Sequence, residues 1–297
     1  MTSTPVPPPP PHGVARRPSS PLVGASQLAE RLAGGRAPVL LDVRWSLAGP
    51  DRGAYLAGHL PGAVFVDLDA ELAGPPGGAD GRGRHPLPDP AVLQRLLRRA
   101  GVDHDAPVVV YGERDTSIAA RAWWLLRWAG LSDVAVLDGG LAAWVRAGLP
   151  VEAGEPGPVG QEGTVTVSPG GMPIVDADQA AAYGSGATSA LLDARAPERY
   201  RGDTEPMDPV AGHIPGAANV PLTAVHGPDG LMLPPGELAA VLDAAGAVTG
   251  APVAASCGSG VTACSLILAG EVAGRRFALY PGSYSGWCAL GRPVETG

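Results

Sequence analysis

The stretch VLLDVR at 39–44 returns as ALLDAR at 190–195, and GHLPGAVFVDL at 58–68 returns as GHIPGAANVPL at 212–222. PVVVYG (107–112) is matched in turn by PVAASC (252–257), and VLDGGLAAWVRAGLPV (136–151) is echoed by ALYPGSYSGWCALGRPV (278–294). The matches keep one order and a period of roughly 145–154 residues, so the chain reads as two copies of one domain, over 22–150 and 174–297. Between them, 151–173 is rich in Gly and Pro and suits an extended linker. The proline run within 1–21 reads as a disordered tail and lacks the apolar stretch of a secretory signal.

Each copy alternates short, β-branched apolar runs with helix-period segments such as PAVLQRLLRRAG (90–101) and SIAARAWWLLRWAG (117–130). That alternation predicts an α/β fold with a parallel sheet covered by helices on both faces. In such sheets ligands gather where strand C-termini give way to helices.

Composition excludes several function classes. Apolar residues make up 45% of the 297 and charged residues 17%, as in globular chains. The basic residues, 21 in number, are all Arg, and a net charge of −8 opposes a nucleic-acid footprint, which needs a concentrated basic surface. AWWLLRWAGL (122–131) is broken by Arg127 and reads as a buried helix, so no membrane span is expected. The six His show no metal-type spacing, and three cysteines (Cys257, Cys264, Cys288) make no disulfide framework. The expectation is a reducing cytoplasm and no metal.

One of those cysteines opens CGSGVTAC (257–264), directly after the apolar run PVAAS. With VAAS as a strand and VTACSLILAGEVAG (261–274) as a helix, GSG is the turn between them. Its glycines let the backbone curl so that several amides and the positive helix end point at one spot. A thiol there is expected to ionise near neutral pH and become a nucleophile. A lone Cys after a strand also suits core packing, and the glycines and the helix decide against that here. Dinucleotide binding fits Gly258, Gly260 and Ala263, but no acid ends the following FALYPG run. A cysteine phosphatase needs a phosphate-gripping arginine where this chain has Ala263, and a cysteine hydrolase needs a His that no local context identifies. Cys264 and Cys288 read as core packing.

The two-copy layout, the DxR and GHxPG segments and the CGSGVT loop together resemble the tandem-rhodanese sulfurtransferases over about residues 22–297, and the loop resembles that of the 3-mercaptopyruvate enzymes. Thiosulfate-preferring members usually carry CRKGVT there. The resemblance implies two rhodanese domains, each a five-stranded parallel sheet flanked by helices, the first without catalysis and the second carrying sulfur. The position matching Cys257 in the first copy is Gly112, in keeping with that division. The implied reaction is a double displacement: Cys257 takes sulfur from 3-mercaptopyruvate, pyruvate leaves, and the persulfide passes to a thiol such as thioredoxin or to cyanide, without any cofactor. The loop residues Gly258, Ser259, Gly260, Val261 and Thr262 would hold the persulfide, with the Ser259 and Thr262 hydroxyls equally suited to helix capping. By the same resemblance Arg199 binds the substrate carboxylate, while a second arginine expected after an EP pair is replaced by Met207 and Asp208. The first copy offers Asp51 and His59 to orient a proton donor near Ser259, His59 suiting a structural turn as well. In YPGSYSGW (280–287), Pro281, Tyr284 and Gly286 stand where the family has an acid, Trp and Glu. Thiosulfate:cyanide transfer and a non-catalytic sulfur carrier are the competing readings.

Overall fold

A computed structural model describes residues 20–46, 48–157 and 160–297. The tail expected over 1–21 lies outside them except for Ser20 and Pro21.

Each copy is built on a parallel sheet, and the two sheets have the same strand order. In the first copy the order is Leu22–Val23, Val134–Leu137, Val108–Tyr111, Val39–Asp42 and Val64–Phe65. In the second it is Ala278–Leu279, Val253–Ser256, Ala190–Asp193 and Ala218–Asn219. The central strands are buried along their whole length, as runs such as VVVY and ALLD require when helices cover both faces.

The fifth strand expected in the second sheet shrinks to a single parallel bridge between Ile174 and Leu279. In the first copy the Asp138 amide donates to the Val23 carbonyl at 3.0 Å and completes the second rung; the matching residue of the second copy is Pro281, which has no N–H to give to Val175.

The copies share one apolar core. Helix Ala119–Trp128 of the first packs on helix Ala263–Val272 of the second, and both are buried nearly all round. Trp123, Trp124, Leu266 and Leu268 are fully covered there, each contributing about 2–3 kcal/mol to folding on area grounds. The connecting segment is pinned to the first copy, with Gly163, Val165, Ser168 and Gly171 donating amides to the carbonyls of Arg98, Val102, Ala129 and Trp128. Among the described residues no helix is long and apolar enough to cross a membrane.

Candidate active site

The second copy's chain steps from Ala190–Asp193 to Ala218–Asn219 on one side and later to Val253–Ser256 on the other. The crevice at this reversal is where an open α/β sheet binds ligands. Cys257 stands in it, at the end of Val253–Ser256, on the floor of a cleft of about 770 Å³. Trp45, Asp69, Arg84 and His85 of the first copy form one wall; Arg199, Met207 and the 257–262 loop form the other.

Gly260 sets the shape of the loop. Its φ of +81° is left-handed, and a Cβ on it would fall 2.6 Å from the Pro281 carbonyl oxygen. In that conformation its amide donates to Cys257 Sγ at 3.1 Å. Several amides were expected to converge on the sulfur; among the described residues Gly260 alone donates to it. The helix opens at Ala263, and Thr262 makes no side-chain cap bond. YPGSYSGW supports the loop from behind: the amides of Tyr284 and Ser285 donate to the carbonyls of Cys257 and Gly258, both at 2.9 Å, and the Ser283 hydroxyl accepts from the Cys257 amide at 3.1 Å.

Ser259 is completed by the first copy. His85 Nδ1 lies 2.7 Å from its hydroxyl, and His85 Nε2 lies 3.4 Å from Asp69 Oδ1, which the Trp45 indole N–H also holds at 2.9 Å. Burial pushes the His85 imidazole below its ordinary range, against the smaller opposing pull of Asp69. A neutral ring with its proton on Nε2 toward Asp69 leaves Nδ1 to accept from Ser259.

Beneath both loops lies Arg121, fully buried and, among the described residues, without a carboxylate partner. Its guanidinium donates to the carbonyls of Gly260, His85 and Pro86, each at 3.1 Å, and to that of Leu72 at 3.2 Å. Desolvation pushes its pKa down, and the carbonyl oxygens take the place of water. One side chain thus ties the nucleophile loop to the segment that presents His85.

The rhodanese-like domain family matches the chain twice, over residues 24–147 and 176–290. The chain belongs to the rhodanese family. This rhodanese is 48% identical to a putative thiosulfate sulfurtransferase, SseB, of Mycobacterium tuberculosis over 93% of its length and 97% of the relative's. It is 45% identical to a probable 3-mercaptopyruvate sulfurtransferase of Pseudomonas aeruginosa over 94% of its length and 99% of that relative's. The crystal structure of SseA from Escherichia coli, described as a 3-mercaptopyruvate sulfotransferase, superimposes with a TM-score of 0.76 at 32% identity, covering 90% of this chain and all of that one. This rhodanese is a sulfurtransferase.

Of the residues singled out from sequence, Cys257, Gly258, Ser259, Val261, Thr262 and Arg199 line the cleft, and Gly260 shapes it from within the loop. Asp51 and His59 do not reach it. Asp51 caps helix Arg52–Ala57, accepting from the Ala54 amide at 2.8 Å. His59 is fully buried, stacked on Tyr55 at 4.1 Å with Nδ1 2.9 Å from the Tyr55 carbonyl. His213 repeats the arrangement on Tyr200, stacked at 3.8 Å. The GHxPG histidine is therefore a corner residue in both copies, and the aspartate and histidine beside Ser259 are Asp69 and His85. The DxR pairs are structural too: Arg44 grips Asp42 and Arg195 grips Asp193, all four side chains buried. Cys264 is fully buried, and desolvation pushes its thiol up to about 12, so it is packed and inert.

Proposed function

We propose that this rhodanese moves sulfur from 3-mercaptopyruvate through a Cys257 persulfide to a thiol or to cyanide. The observation that carries the reading is the Ser259 hydroxyl, on the same loop as the nucleophile and held 2.7 Å from His85 Nδ1. A donor whose sulfur is bonded to carbon leaves a carbanion, which needs a hydrogen-bond donor at its neighbouring carbonyl and a proton. Thiosulfate leaves as sulfite and needs neither.

In the first half-reaction the Cys257 thiolate attacks the donor sulfur. An S–S bond forms, the C–S bond breaks, and its electron pair goes to the carbon as an enolate. The Ser259 hydroxyl has one proton to give: in the resting site it points at His85 Nδ1, and as the enolate forms it turns to the enolate oxygen. Protonation at carbon, balanced by loss of the donor's thiol proton, gives pyruvate. The Gly260 amide, aimed at Sγ, supports charge on the sulfur being loaded. In the second half-reaction an incoming thiolate or cyanide takes the outer sulfur and Cys257 leaves as thiolate. Arg199, at the cleft wall, holds the donor's carboxylate. We place the reaction in a reducing compartment such as the cytoplasm, with thioredoxin a fitting acceptor; the three cysteines are all free.

The mycobacterial relative's name favours thiosulfate as the competing donor. The test is kcat/KM for both donors in the wild type and in Ser259→Ala. The proposal expects 3-mercaptopyruvate to be preferred and the variant to lose on the order of 100-fold with that donor, with far less change for thiosulfate. Preference for thiosulfate, or indifference of both donors to Ser259→Ala, would overturn it.

A further inference from the structure

Ser283 stands at a position whose backbone favours glycine. Among the described residues it is the one residue other than glycine with a positive φ, +49°, in a region where a Cβ crowds the main chain. Conformations of this kind persist where the surrounding structure imposes them, and they gather at working sites.

The first copy holds the same position. In the second copy the amides of Tyr284 and Ser285 donate to the carbonyls of Cys257 and Gly258, each at 2.9 Å. In the first, the amides of Leu141 and Ala142 donate to the carbonyls of Gly112 and Glu113, also at 2.9 Å. The residue before each pair is Ser283 in one copy and Gly140 in the other, and Gly140 has a φ of +56°. A Cβ on Gly140 would fall 2.5 Å from the Gly112 carbonyl oxygen. The copy without a thiol thus has the residue that its backbone favours. The copy with the thiol carries a side chain there against that preference.

What the side chain adds is a hydroxyl, fully buried and used in both its roles. It donates to the Tyr280 carbonyl at 2.9 Å and accepts from the Cys257 amide at 3.1 Å. With the Tyr284 amide on the Cys257 carbonyl, the peptide groups on both sides of the Cys257 Cα are held by two consecutive residues. Sγ keeps only the rotation about its own Cα–Cβ bond, and in the setting observed it meets the Gly260 amide at 3.1 Å. Ser283 does not line the cleft, so it bears on the thiol and not on the donor.

We propose that Ser283 is a positioning residue of the nucleophile: its hydroxyl, set on a strained backbone, fixes the Cys257 amide and through it the aim of Sγ. The inference rests on Cys257 as the nucleophile and not on which donor loads it.

The test compares Ser283→Ala with Ser283→Gly in the full-length protein. Both remove the hydroxyl and only glycine relieves the backbone, so Ser283→Gly is expected to unfold at a higher denaturant concentration than Ser283→Ala. Single-turnover loading of Cys257 by 3-mercaptopyruvate is expected to slow by about tenfold or more in both, with the half-saturating donor concentration changed by less than about threefold. Loading at the wild-type rate in either variant overturns the proposal. So does loading that recovers in Ser283→Gly along with stability, which would make the serine a structural residue only. A raised half-saturating concentration with an unchanged maximal rate overturns it too, since the effect would then lie in donor binding. A wild type loaded by thiosulfate and not by 3-mercaptopyruvate overturns the donor reading instead, and the role of Ser283 then stands or falls on the same comparison with thiosulfate. A wild type that takes up no sulfur on Cys257 overturns the nucleophile reading, and the role of Ser283 falls with it.

Discussion

His85 Nδ1 lies 2.7 Å from Ser259 Oγ, so a side chain of the first copy finishes the nucleophile loop of the second. Both copies thereby contribute to the cleft: one carries the thiol, and the other an imidazole held against the same loop.

A pH prediction follows from that pair. Burial holds His85 below the ordinary imidazole range, so its ring stays neutral through that range and goes on accepting from Ser259. The acid limb of kcat/KM for 3-mercaptopyruvate is expected below the usual histidine value, and it is expected to vanish in His85→Asn together with about 100-fold of activity. The stability effect has the same sign. An imidazole that protonates less readily folded than unfolded contributes stability above its unfolded value, and that contribution is lost as pH falls from there toward the folded one. Measured rate profiles and thermal melts between these limits check both statements.

Arg121 makes a second case. Replacing it with Met takes a donor from the carbonyls of Leu72, His85, Pro86 and Gly260 inside the shared core, of which Pro86 keeps the Gly74 amide and Gly260 the weak Cys264 thiol. A loss of about 3 kcal/mol in unfolding free energy is expected, with slower persulfide formation because both loops lose their common tie. Arg121→Lys is expected to recover only part of each, since an ammonium cannot reproduce the planar spread of donors. Denaturant unfolding and single-turnover loading give the two numbers.

The two candidate aspartates of the first copy separate cleanly. Asp51→Ala removes a helix cap and is expected to cost about 1 kcal/mol of stability with sulfur transfer unchanged. Asp69→Asn is expected to leave stability close to the wild type and to slow turnover, because the carboxylate facing His85 Nε2 is lost. Paired melts and kinetics of the two variants test the assignment.

These residues also mark what the sequence could tell. The duplication was legible because DxR and GHxPG hold strand ends and corners in both copies, and such positions repeat in type and spacing. Cys257 was legible because a thiol between a buried strand and a Gly-x-Gly turn has few uses. Asp69, Arg84, His85 and Arg121 were missed. Arg84 and His85 lie in the irregular stretch ELAGPPGGADGRGRH (71–85), which has no periodicity and no counterpart in the second copy, while Asp69 sits in the short helix Leu68–Glu71 where the second copy has Thr223. The repeated histidine of GHxPG, conspicuous in the sequence, marks a packing requirement, as the stacking of His59 on Tyr55 and of His213 on Tyr200 makes plain. Arg121 sits in an apolar helix where a sequence pattern shows only a break; the reason for a charge there is a set of carbonyls distant in sequence. The shortened fifth strand of the second sheet was hidden by the same kind of limit, since it turns on one missing amide, that of Pro281, far along the chain from Ile174.

The most direct measurement is the mass of the peptide bearing Cys257 after the protein is incubated with 3-mercaptopyruvate alone. A gain of one sulfur atom on that peptide, removed by cyanide and absent in Cys257→Ser, is the predicted result. Sulfur found instead on Cys264 or Cys288, or undiminished transfer by Cys257→Ser, would contradict the account.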